Sequence, residues 1–130
     1  MVPNEFTEIL IKVNLEKSDE AIKAAQMMLA DKMLSSALNR IYYACFYTVT
    51  ALAEKHDFKT SKHAGLLQWF NKKFVFQDKI FSKDLFKVYE ATFKFRQKGD
   101  YDTLFVPSEE DTLELLENAK IFIKTVREKI

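Results

Sequence analysis

Chain breakers are scarce: 130 residues hold two glycines and two prolines. Without them little interrupts a helix, so long helices joined by short turns are expected. A single cysteine excludes a disulfide framework, and Cys45, set among apolar neighbours, reads as a buried small side chain rather than a nucleophile. The two histidines, His56 and His63, are separated by a connector and joined by no Cys, His or carboxylate set at zinc spacing, so no metal is expected. No apolar run reaches the roughly 18 residues of a membrane span. The opening MVPNEFTEILIK carries acids where a signal peptide carries basic residues, which points to a cytoplasmic protein. A P-loop, a Rossmann glycine set and a Ser-His-Asp arrangement are all missing, so no cofactor is expected.

What is present is a core. With 48% hydrophobic residues, 12 Phe and 30% charged residues, residues 1–130 suffice for one domain. The expected fold is all-α, an antiparallel bundle of four to five helices. Charge is uneven along it. Residues 1–54 carry 5 basic and 7 acidic groups, residues 55–98 carry 11 and 4, and residues 99–130 carry 4 and 8. The basic middle is either a footprint for nucleic acid or nucleotide phosphates, or a solvated lysine face that pairs with the acidic C-terminal helix.

In chain order, Asn4 is placed to cap a first helix with Phe6, Leu10 and Val13 opening its apolar stripe; it is read as one long helix to Asp31, although Asn14 and Ser18 leave room for a break or second start near Ser18. Ser35 or Ser36 is expected to cap the central helix, SALNRIYYACFYTVTALAE, and Ser61 a short third one that ends near Gln77. Ser82 caps a fourth that should stop at Gly99. Pro107 and Ser108 start a fifth, which carries Leu113, Leu116, Ala119, Ile123 and Val126. On the central helix, steps of four and three put Ser36, Arg40, Tyr43, Tyr47, Thr50 and Glu54 on one face, while the rows through Leu38, Ile41 and Cys45 and through Tyr42, Phe46 and Val49 suit a core. A helix apolar on several sides is expected at or beside a homodimer interface.

Three stretches in register carry a resemblance: Asn39-Arg40-Ile41-Tyr42-Tyr43-Ala44, Ser61-Lys62-His63-x-Gly65 followed by Phe70, and Arg96-x-x-Gly99-Asp100-Tyr101-Asp102. Together they resemble the small stand-alone branch of the HEPN domain family. The resemblance implies a helical bundle, usually a homodimer, often paired with a minimal nucleotidyltransferase in toxin and antitoxin systems. Many members are metal-independent ribonucleases whose motif is an arginine followed, after four to six residues, by a histidine. Arg40 matches the arginine, but Cys45, Phe46 and Tyr47 fill the positions searched for the histidine, and Tyr47 stands where relatives commonly carry it. The resemblance thus puts a nucleotide- or RNA-binding set on Asn39, Arg40, Tyr43, Tyr47, Lys62, His63, Arg96 and Asp100, with Arg40 and Tyr47 as catalytic candidates.

Cleavage of RNA through its own 2′-hydroxyl needs a proton carrier near neutral pH and a cation for the phosphorane charge. Arg40 supplies the second; a tyrosine near pKa 10 is a poor version of the first. Binding of RNA, nucleotide or a protein partner with weak or lost catalysis is therefore the leading expectation. An active ribonuclease toxin is one alternative. A structural adaptor is another, in which Arg40, Tyr43 and Tyr47 form a dimer seam or Arg40 pairs with Asp100 or Asp102. His63 reads as a cap or loop-ordering residue, with a catalytic role as the alternative, and Arg96 as organiser of the fourth helix's end or as part of a phosphate site with Arg40.

Overall fold

The computed structural model describes residues 4–130, so residues 1–3 of the domain, with the first residues of the N-terminal stretch read above, lie outside the described residues. Among the described residues the chain is an all-α bundle of five helices with no strand. Helix α1 spans Glu5–Ala30, and its cap is the one expected: Asn4 Oδ1 accepts from Thr7 N at 2.8 Å, with Glu5 and Glu8 facing the positive end of the helix dipole. Ser18 makes no break. Its hydroxyl is buried and bonds across to the next helix instead.

Helix α2 spans Leu34–Lys55 and starts earlier than expected. Lys32 N bonds to Leu29 O and Met33 N to Met28 O, a return so tight that Met33 takes the N-cap position and Ser35 and Ser36 fall inside the first turn. With both glycines used elsewhere, the left-handed turn positions go to Lys32 (φ 59°), Asp57 (φ 55°) and Lys79 (φ 51°).

Helix α3, His63–Phe70, is not capped by Ser61 either; Lys62 is its N-cap residue, and Thr60 Oγ1 accepts from Lys62 N at 3.2 Å. Gly65 leaves room there: a Cβ on it would lie 2.9 Å from Thr60 Oγ1 and would displace the hydroxyl that accepts from Lys62 N. The chain continues through a π-helical stretch, Asn71–Gln77, which the sequence did not announce. Helix α4, Lys83–Tyr101, is capped by Ser82 as expected but runs through Gly99. That glycine has no positive φ, and the i,i+4 pair of Arg96 with Asp100 bridges the position and favours continued helix. Helix α5, Glu109–Arg127, is capped by Ser108.

Helix α2 is the hub, packing on α1, α3, α4 and α5. Leu38, Ile41, Tyr42, Cys45, Val49 and Leu52 are buried on it, and Phe70, Phe74, Tyr89, Leu116 and Phe122 pack around them. Phe46 is only half-buried. The apolar sides of α2 are thus largely covered within one chain, which removes the argument that this helix must seek a second copy. Uncovered apolar surface lies elsewhere: Phe6, Ile9 and Val13 are exposed on α1, outside the row of Ser18, Ala21 and Ala25 that it buries, and Leu113 is exposed on α5. No helix of the described chain is long and apolar enough to cross a membrane.

Candidate functional site

All six residues of the polar row, Ser36, Arg40, Tyr43, Tyr47, Thr50 and Glu54, are half-buried, between the sealed core rows and open solvent. Arg40 is held from its own helix: Asn39 Oδ1 accepts from Arg40 Nε at 3.1 Å and from Nη2 at 2.9 Å. Its guanidinium lies 5.0 Å from the centre of the Tyr43 ring. Among the described residues no carboxylate lies within ion-pair distance of it, so the expected pairing with Asp100 or Asp102 does not occur. An open groove of about 320 Å³ adjoins it, lined by Met28, Ser35, Ser36, Asn39, Arg40 and Asp100.

Helix α4 brings a second guanidinium to the same ring. Arg96 lies 4.8 Å from the centre of Tyr42 and 5.9 Å from that of Tyr43, and its side chain is largely covered. One nitrogen, Nη1, reaches Asp100 Oδ2 at 3.5 Å, and Nε is buried without a partner. Asp102 takes a different role and accepts from Leu104 N, ordering the loop after α4.

Helix α3 contributes the third cation-capable group. His63 Nδ1 is 2.9 Å from Tyr42 Oη, and its ring stacks on Phe46 at 4.3 Å and meets Tyr43 edge to face at 5.8 Å. Burial, then the nearby Arg96 charge, holds the imidazole below its ordinary pKa, so the ring is neutral at pH 7. Burial also pushes the Tyr42 phenol well above its usual range, partly opposed by Arg96, so it keeps its proton. Cys45, sealed in the core, is pushed up to about 12 and is inert.

The structure thus gathers Asn39, Arg40, Tyr43, Tyr47, His63, Arg96 and Asp100 into one cluster. Tyr47 joins through Tyr43, ring centres 5.8 Å apart, with Lys17 Nζ 5.7 Å from the Tyr47 ring. Lys62 is exposed at the α3 N-cap, and its ammonium bonds to nothing among the described residues. Sequence reasoning placed Tyr42 in the core and missed its hydroxyl; the available signal was that a buried tyrosine needs a polar partner. The basic segment does not feed the cluster as a whole. Lys87, Lys94 and Lys98 line a separate groove on α4 and, at 100° per residue, face away from Arg96. Nor do they pair with the acidic α5: among the described residues the ion pairs are local, apart from Arg127 with Asp19. Among the described residues no three His, Cys, Asp or Glu side chains are grouped to hold a metal ion.

Chemically, the cluster offers two guanidiniums from different helices and one carboxylate, a surplus of positive charge suited to a phosphate. Comparison with known proteins bears on the chain as a whole. The HEPN domain family model matches residues 11–129. A UPF0332 protein of Thermotoga maritima is 36% identical over 123 residues, covering 95% of this chain and 92% of that protein. Two Methanocaldococcus jannaschii proteins, each named a putative toxin, are 28% identical over 113 and 123 residues, which cover 87% and 92% of this chain and 76% and 88% of theirs.

Proposed function

This chain belongs to the HEPN domain family, and from that premise we propose that it is a dimeric, toxin-related module that binds RNA through its phosphates and cleaves it weakly or not at all. The observation that carries the reading is the convergence of Arg40 and Arg96 within 6 Å of one ring, Tyr43, with Asp100 as the single carboxylate paired there. With two guanidiniums at that ring and one carboxylate, the charge balance there is positive, and a phosphate would offset it. The half-buried rings of Tyr43 and Tyr47 beside it are of the type on which bases stack. Cleavage is weak in this reading because the Arg40 row of α2 carries no histidine to move a proton. A minimal nucleotidyltransferase is the proposed protein partner, on the strength of family membership and the toxin names of the relatives.

Binding of a labelled single-stranded RNA, followed by anisotropy across a salt series, tests this. Affinity should fall as salt rises, and Arg40→Ala should weaken binding about ten-fold at low salt. An Arg40→Ala protein that binds as the parent does would remove Arg40 from the site. No binding by the parent at low salt would favour the adaptor, in which the polar row joins protein to protein.

A further inference from the structure

We propose that His63, brought in by α3, is a third phosphate ligand of this site, a hydrogen-bond donor through Nε2 whose tautomer is fixed by Tyr42. The inference rests on the phosphate-binding reading above and names a residue and a chemical form that the α2 motif does not contain.

The argument starts from Tyr42. Its side chain is fully buried, and His63 Nδ1, at 2.9 Å, is the partner of its hydroxyl. A phenol has one proton to place, and in a water-free site that proton needs an acceptor. If Nδ1 carried hydrogen, both atoms of the contact would bring a proton and the phenolic one would be stranded. With Tyr42 donating and Nδ1 accepting, the contact is satisfied, and a neutral imidazole must then carry its hydrogen on Nε2. The nearby charge of Arg96 disfavours a second proton on the ring, which supports the same form.

Position fits the role. His63 Nε2 bonds to nothing among the described residues, yet it is not sealed from solvent, unlike Arg96 Nε. The ring stacks on Phe46, which fixes its plane, and sits within 6 Å of both Tyr42 and Tyr43, the rings that also carry Arg96. An anion drawn to Arg96 therefore meets an oriented N–H from α3. The same tautomer has a consequence for chemistry. An Nε2 that already bears hydrogen cannot take the proton of a 2′-hydroxyl, so this histidine holds phosphate without activating the nucleophile.

The test uses the full chain, 15N-labelled at histidine, with a twelve-nucleotide oligouridylate as probe. At about pH 7.5, well above the ordinary histidine range, the His63 nitrogen signals should show a bare Nδ1 and a protonated Nε2, and Tyr42→Phe should let the two tautomers mix. His63→Gln keeps an amide N–H near the Nε2 position and should bind the oligonucleotide within about two-fold of the parent, whereas His63→Asn and His63→Ala should lose about ten-fold or more, the worth of one hydrogen bond to a charged group. Thermal melts confirm that each variant is folded, and the Gln variant separates loss of the donor from loss of packing. A protonated Nδ1 in the parent overturns the proposal. So does His63→Ala binding as the parent does while Arg40→Ala is weakened, a result that leaves the phosphate site standing. If the parent binds no RNA, both fall together.

Discussion

Ser18 of α1 and Thr48 of α2, both fully buried, share a hydrogen bond of 2.8 Å between their hydroxyls, and Ser18 donates its own proton to Ala44 O at 2.8 Å. The pair is a polar rivet between the two longest helices. Removing one hydroxyl strands the other, so Ser18→Ala should cost about 1–2 kcal/mol. Adding Thr48→Val should cost less than the sum of the two single changes, because the second removes a donor already orphaned. Urea unfolding of the four proteins measures this; strictly additive losses would mean the hydroxyls do not depend on each other.

That rivet shows where the sequence was legible and where it was not. Helix count, the capping roles of Asn4, Ser82 and Ser108, and the buried rows of α2 follow from local chemistry, and the structure has them. The single long first helix was legible, but Ser18 left a break open because a serine in mid-helix is locally neutral; its value lies in a partner 30 residues away, which no local pattern contains. Gly99 read as a stop for the same reason. The site follows this division. Arg40, Tyr43 and Tyr47 share a helix face and were found by counting, whereas the contact of His63 with Tyr42 joins two helices and became visible only when they were packed.

A different orphan lies deeper in the core. The Tyr89 hydroxyl is buried with no partner among Phe70, Phe122 and Tyr42, and burial raises its pKa well beyond the usual range. The polar atom contributes a desolvation cost and no bond. Tyr89→Phe should therefore leave stability unchanged or raise it by about 1 kcal/mol, read as an upward shift in Tm. A loss of stability would show that the hydroxyl has a partner after all.

Both histidines make the fold sensitive to acid. Burial and the charges of Lys73 and Lys55 hold His56 below its ordinary pKa, with Asp78 opposing; burial and Arg96 do the same for His63. Above the unfolded value near 6.5, neither state is protonated and neither residue alters stability. As pH falls below it, the unfolded chain takes up protons that the folded chain resists, so stability is lost. Tm should drop between about pH 7.5 and about pH 5.5, and His56→Gln with His63→Gln should flatten that drop. An equally steep loss in the double variant would assign it to the carboxylates.

The dimer of the proposed function needs a surface, and α1 offers one. Phe6, Ile9 and Val13 repeat at steps of three and four on a face that no other helix covers. In a homodimer joined there, Phe6→Glu with Val13→Glu should turn the dimer into a monomer in sedimentation experiments while keeping its helical circular dichroism, since both residues are exposed within one chain, and Tm should lose its dependence on protein concentration. A double variant that stays dimeric would move the interface to another face.

The last prediction concerns the position where the family motif expects histidine. Tyr47 is half-buried on the Arg40 row, against Tyr43, with the Lys17 ammonium 5.7 Å from its ring. An imidazole there would lie seven residues after Arg40 on the same face, and the neighbouring ammonium would favour its neutral, proton-accepting form. His63 cannot take this part while Tyr42 holds its hydrogen on Nε2. Tyr47→His should therefore raise RNA cleavage above that of the parent, by about 10²-fold if the new base reaches the 2′-hydroxyl. The gain should vanish when Arg40→Ala is added, because the phosphorane then lacks its cation. A parent protein that already cuts RNA, at a rate that Tyr47→Phe leaves untouched, would place the chemistry outside this helix face.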